Sequence, residues 1–173
     1  MAEGGVEDLD VTISNNEQIL DGHQGFYLFE VHRLDATLRN FKPLEYKTEC
    51  ESIATTWDIE LKYDRIVSVT DTFTFSIKMK RKGPTLNRVK ASIKVSFNDV
   101  DGNNIFGPIF LNRERMLPDD ALEYTLYDIQ PLLVRLVATV EIHITIQYCH
   151  QGICWKCASE VDKDKNRTTL SKL

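Results

Sequence analysis

The residues best suited to chemistry lie together late in the chain. Cys149-His150-Gln-Gly-Ile-Cys154-Trp-Lys-Cys157 gathers three thiols and an imidazole, the donor types that hold a tetrahedral zinc ion, and Cys154 and Cys157 have a two-residue spacing that suits chelation. Against that, a zinc module ordinarily offers two spaced pairs, and adjacent Cys149 and His150 leave a strand in opposite directions. The favoured reading is therefore reduced cysteines at a strand end, with Trp155 packed on the fold and no cofactor; zinc held by Cys149, His150, Cys154 and Cys157 is the alternative. A redox Cys-x-x-Cys pair would need a βαβ context, and none flanks it.

Elsewhere the chemistry is sparse. The histidines, at 23, 32, 143 and 150, are scattered, with no carboxylate pair or serine nucleophile arranged around them, so the expectation is a protein that is not an enzyme. Asp99-Val-Asp101-Gly-Asn-Asn has oxygen ligands but neither the spacing nor the terminal glutamate of a calcium loop, and reads as a hairpin turn. The basic run Lys78-Met-Lys80-Arg81-Lys82 is followed by Arg88 and Lys90. Alternation turns Lys78, Lys80, Lys90 and Lys94 outward, which predicts one basic sheet face. Such a face is either simply solvated or a dock for an acidic peptide, the chain's own acidic N-terminus included.

Charge narrows the partner class. Among 173 residues, 21 basic and 26 acidic side chains give a net charge of −5, which argues against a protein that holds nucleic acid. Four of the acids, Glu3, Glu7, Asp8 and Asp10, fall in the first ten residues, where there is no Lys or Arg; the remaining 22 nearly balance the 21 bases. No basic region followed by an apolar run opens the chain, and its longest apolar stretch, Leu132 to Ile146, is broken by Arg135, Glu141 and His143. The expectation is a cytoplasmic protein with reduced thiols and no membrane contact. The terminal Ser171-Lys172-Leu173 offers a peroxisomal address as the alternative.

The elements that must position these residues are strands. Phe29 and Val31 share a face in Phe26-Tyr-Leu-Phe-Glu-Val-His-Arg. Trp57, Ile59, Leu61 and Tyr63 alternate with charged residues, as do Phe73, Phe75, Ile77 and Met79, then Val89, Ala91, Ile93, Val95 and Phe97, and finally Val140, Ile142, Ile144, Ile146 and Tyr148. Period two over five segments predicts sheets wet on one face and packed on the other, hence an all-β fold, an antiparallel β-sandwich of about seven to eight strands. Residues 1–25 read as an acidic flexible leader, 26–149 as the sandwich and 150–173 as a charged, Cys-containing tail. Residues 40–56 read as a loop. The segment Arg113 to Leu133, in which Leu117-Pro-Asp-Asp could start a helix, reads as a short helix or irregular crossover.

Taken in order, these pieces resemble a MATH domain, the TRAF-like eight-stranded sandwich of the speckle-type POZ adaptors. Phe26-Tyr-Leu-Phe-Glu-Val-His-Arg-Leu is similar to the family's first strand, Trp57 with Ile59-Glu-Leu to its tryptophan strand, and Asp71-Thr-Phe-Thr-Phe-Ser-Ile to the next. Val89-Lys-Ala-Ser-Ile-Lys-Val-Ser-Phe with Asp101-Gly102 is similar to the strand and hairpin that follow, and Leu117-Pro-Asp-Asp to the turn before the last strand. The resemblance implies a non-catalytic adaptor that binds a protein or peptide, within a ubiquitin-ligase system, on a face including Ser76, Lys78, Lys80, Lys90, Ile93 and Lys94. Ser76 and Ile93 fall at groove positions where the family has tyrosine and phenylalanine, although Ile93 is in phase with the core residue Val95. The family's lysine-aspartate-tryptophan loop has no counterpart between Gly102 and Leu117, and the 24 residues after the sandwich leave no room for a BTB domain.

Overall fold

Alternation that buries one side of every strand leaves two inner faces to cover each other, and the computed structural model shows that arrangement. It describes residues 11–31, 39–41, 43–66 and 71–149. Ten strands and one short helix follow in order: β1 Val11–Ile19, β2 Gly22–Glu30, β3 Arg39–Asn40, β4 Leu44–Thr48, β5 Thr55–Ile66, β6 Thr72–Lys82, β7 Val89–Asn98, β8 Asn104–Met116, β9 Ala121–Ile129, α1 Pro131–Leu136 and β10 Thr139–Gln147. One sheet runs β1-β2-β10-β7-β8; the other runs β3-β5-β6-β9, with β4 also paired to β5. Every described pairing is antiparallel. The chain is an all-β sandwich.

The core is the set that period two selects. Trp57, Ile59, Leu61, Tyr63, Phe73, Phe75, Ile77, Met79, Val89, Ala91, Ile93, Val95, Phe97, Val140, Ile142, Ile144 and Ile146 are all buried. The sheets meet where Phe75 of one packs edge-on against Phe97 of the other, with ring centroids 4.5 Å apart, and within its own sheet Phe97 stacks on Phe106 of β8 at 4.2 Å. Burying each such side chain stabilises the fold by about 1.5–3 kcal/mol relative to leaving it in water. Gly25 lets the Tyr46 ring cross between the sheets, since a Cβ there would lie 2.5 Å from a ring carbon. The Tyr46 hydroxyl then donates to Asn16 Oδ1 of β1 at 3.1 Å, closing that side of the sandwich.

Four expectations change. First, the sandwich starts before Phe26: β1 and the opening residues of β2 lie within residues 1–25, and the two strands pair antiparallel with a register shift between Val11 and Ile13. Secondly, the supposed loop at 40–56 contains β4, in which Tyr46 and Thr48 are buried while Glu45 and Lys47 point out. With the two-residue β3, these account for ten strands where seven to eight were expected.

Thirdly, Arg113 to Leu133 is mostly strand, the end of β8 and the whole of β9. Leu117-Pro-Asp-Asp is a tight turn: the Asp120 N–H donates to the Leu117 carbonyl at 3.2 Å and the Leu117 N–H to the Asp120 carboxylate at 2.8 Å. The short helix lies at the end of the segment, where Pro131 opens α1, because a missing N–H costs nothing in a first helical turn. Fourthly, Tyr148 does not continue the inward row. Its φ of 62° breaks the alternation, leaves its side chain half-buried, and sends Cys149 into the interior. The Asp99 turn behaves as read, with the carboxylate accepting the N–H groups of Asp101 at 2.9 Å and Asn103 at 2.8 Å.

No helix among the described residues is long and apolar enough to cross a membrane.

Candidate functional site

The proposed basic face divides in two. β6 belongs to one sheet and β7 to the other, because the Lys82-Gly-Pro segment between them carries the chain across the sandwich and does not fold it back as a hairpin. Lys78 and Lys80 consequently point out from one sheet, and Lys90 and Lys94 from the opposite one. Three of the four lysines are also matched by an acid: Lys78 by Glu123 at 2.7 Å, Lys80 by Asp119 at 2.9 Å and Lys90 by Glu114 at 3.0 Å. The Glu123 and Glu114 carboxylates hold the ammonium groups of Lys78 and Lys90 above the usual lysine range, chiefly through the hydrogen bond. Ile93 is 1% exposed and belongs to the core, so it cannot line an outer groove; its phase with Val95 decides its place. Arg81, fourth in the basic run, is likewise in phase with Met79 and fully buried.

Of the expected binding residues, Ser76, Lys78 and Lys80 stay together. They lie on the outer face of β6 beside β9, with Ser76 opposite Thr125 and Lys78 opposite Glu123. Glu60, Lys62, Ser76, Lys78, Glu123 and Thr125 surround a shallow depression there. β9 is the edge of its sheet and pairs only with β6 among the described strands. Two of its aromatic residues are open to solvent, Tyr124 at 43% and Tyr127 at 65% exposed. The Asp128 φ of 58° accompanies a register shift that carries β9 out of regular pairing between Leu126 and Ile129.

At one end of the sandwich a second cluster forms. Of the four tail ligands expected from sequence, Cys149 is placed and fully buried; His150, Cys154 and Cys157 lie outside the described residues, as do His32 and Ser171-Lys172-Leu173. Cys149 meets two residues remote from it in sequence, His23 at the start of β2 and Cys50 just after β4. The ligand atoms of all three lie within 4.8 Å of one another, and all three residues are buried.

Both newcomers carried a signal. Counting back by twos from Phe29 and Val31 through Gly25 reaches His23, and Tyr46, Thr48 and Cys50 alternate with Glu45, Lys47, Glu49 and Glu51. The loop bearing Cys50 is held by a buried hydroxyl pair. Thr55 N–H donates to Thr48 Oγ1 at 2.8 Å and the Trp57 indole to Thr55 Oγ1 at 2.8 Å. The Cys50 thiol donates to the Cys149 carbonyl at 3.2 Å. Burial, reinforced by Cys50, pushes the Cys149 thiol up to about 12, so as a free thiol it is protonated and a poor nucleophile near neutrality.

No protein-family model matches this sequence, and no curated protein matches it. Among solved structures, the enzymatically active domain of bacteriophage CBA120 tailspike protein 4 is similar over 69% of this chain and 19% of that one, at 12% identity and a TM-score of 0.24. The chain thus spans about a fifth of that tailspike domain, and a likeness at this score carries no inference about the fold family or activity of the chain.

Proposed function

We propose that this chain is a protein-interaction module that takes up an extended peptide along the edge strand β9 and the adjoining outer face of β6. The observation that carries the reading is the open edge itself. Among the described residues no strand pairs with the outer side of β9, which lies beside exposed Tyr124 and Tyr127, and an extended peptide can add to such an edge as a further strand. Backbone pairing would supply affinity, while the tyrosines and the depression at Ser76 would read alternate side chains.

The resemblance to MATH domains favours the same class of function. Setting aside β1 and the two-residue β3 leaves β2-β10-β7-β8 against β4-β5-β6-β9, the eight-stranded sandwich which that resemblance implies. Membership of a ubiquitin-ligase adaptor system is implied by the resemblance alone. The ion pairs on Lys78 and Lys80 favour a peptide of mixed or neutral character over a strongly acidic one, because their charge is already met.

The test is selection of random twelve-residue peptides on the whole chain, followed by mapping of a selected peptide through amide chemical shifts. Shifts at Ala121–Ile129 and Ser76–Lys80, with binding lost in Tyr124→Ser/Tyr127→Ser, are expected. Peptides that map to the opposite sheet, or that bind the double variant unchanged, would refute the site.

A further inference from the structure

We infer that His23, Cys50 and Cys149 form a binding site for a thiophilic divalent cation of the zinc type, with one coordination position open to a neighbouring cavity. The inference is independent of peptide binding at β9.

The donor set is the first ground. Two thiols and an imidazole are the ligands such a cation selects over the oxygen-preferring magnesium and calcium. Tetrahedral zinc bonds of about 2.0–2.3 Å put neighbouring donor atoms roughly 3.5–3.8 Å apart. With their ligand atoms already within 4.8 Å, these residues would need to close by about an ångström at most, which side-chain rotation provides.

Placement is the second ground. The three residues come from separate segments, yet each is aimed inward by a definite local cause. His23 is opposite the core residue Ile146 in the β2–β10 pairing. Cys50 continues the inward phase of Tyr46 and Thr48 in a loop braced by the Thr48–Thr55 pair. Cys149 is turned in by the left-handed Tyr148, whose N–H donates to the Asp21 carbonyl at 2.9 Å.

Access is the third ground. A cavity of about 320 Å³, lined by Gln18, His23, Glu49, Cys50, Glu51 and Ser52, reaches two of the three ligands. Glu49 and Glu51 at its rim are exposed and would raise the local concentration of cations. The cavity also gives a fourth ligand, water or a small anion, a place to stand.

Binding would displace one proton from each thiol, and the two thiolates would neutralise a divalent charge. The Cys50 thiol would exchange its hydrogen bond with the Cys149 carbonyl for the metal bond. Because β2 and β10 belong to one sheet and the β4–β5 loop to the other, the cation would tie the sheets together at this end.

The experiment uses the full chain, purified in reductant without a metal-affinity column, titrated with zinc and with cobalt as a spectroscopic substitute. One equivalent should bind, with the intense absorption of a tetrahedral cobalt–thiolate site. Zinc should slow alkylation of Cys50 and Cys149 in the unmodified protein, read by peptide mapping, by about tenfold or more. His23→Gln and Cys50→Ser should each weaken binding by at least about tenfold, no less than the loss of an outer-shell partner does elsewhere. Cys154→Ser/Cys157→Ser should bind as the unmodified chain does.

Three results would overturn the site. One is binding below about a tenth of an equivalent at zinc concentrations that saturate ordinary Cys/His sites. Another is binding lost in Cys154→Ser/Cys157→Ser but kept in His23→Gln. The last is no protection of Cys50 and Cys149 by zinc in the unmodified chain, a reading that does not depend on any variant folding.

Discussion

Replacing Arg81 by methionine tests the account of how the two sheets are joined. Arg81 is fully buried at the end of β6. Its Nη1 donates to the carbonyls of Asn87 and Met116, and its Nη2 to the carbonyl and hydroxyl of Thr85 at 3.2 and 3.3 Å. The guanidinium thus bridges the crossover between sheets and the last residue of β8, while the Arg81 backbone pairs with the turn after it: its N–H donates to the Asp120 carbonyl and its carbonyl accepts from the Asp119 N–H, both at 3.0 Å.

Methionine fills similar volume without a donor. It spares the desolvation of a guanidinium, whose Nε is buried with no hydrogen-bond partner among the described residues, but leaves three backbone carbonyls without their donor. The buried Met116 carbonyl costs about 1–3 kcal/mol as an orphan, and with the part-buried carbonyls of Thr85 and Asn87, which water can reach, the total comes to about 2–4 kcal/mol. With an m value of about 2 kcal/mol/M, the urea midpoint should fall by about 1–2 M. Urea unfolding followed by tryptophan fluorescence measures it, with Lys80→Met, one residue away on the exposed face, expected to leave the midpoint in place. An Arg81→Met protein within about 1 kcal/mol of the unmodified chain at the same m value would refute the bridging role.

Other consequences follow from individual contacts. Ile93→Ala should cost about 2–5 kcal/mol in urea unfolding, as a core truncation does, and leave the affinity for a peptide bound at β9 unchanged; Ser76→Trp should do the reverse. Gly25→Val would drive side-chain atoms into the Tyr46 ring and lower the midpoint more than Tyr46→Phe, which gives up only the hydroxyl bond to Asn16, worth about 0.5–1.5 kcal/mol. Asp99 is held below the usual carboxylate range chiefly by the Asn103 N–H and side-chain amide, so its contribution is complete above the unfolded carboxylate range and is lost as pH falls through the lowered folded value. Urea midpoints measured across acid pH should accordingly fall less steeply in Asp99→Asn, and an unchanged acid limb would contradict the capping role.

How much was legible in the sequence depends on which physical constraint a residue obeys. Period two marks which side of a strand is dry, since each side chain points opposite to its neighbour whatever the strand pairs with. It therefore determined the all-β sandwich, the core from Trp57 to Ile146, and the burial of Ile93 and Arg81 by phase with Val95 and Met79. The same rule, applied two residues at a time from Phe29 or Tyr46, reaches His23 and Cys50 as inward residues.

Alternation contains nothing about which strands are neighbours, because partners are chosen by contacts remote in sequence and by where the chain crosses between sheets. Only the tertiary structure could separate Lys78 and Lys80 from Lys90 and Lys94, through the crossing after Lys82. Only it could make β9 an edge with Tyr124 and Tyr127 exposed, and bring His23, Cys50 and Cys149 to one end of the sandwich. Inside and outside are local properties of a strand, whereas a face, an edge and a cluster exist only once strands from distant parts of the chain have paired.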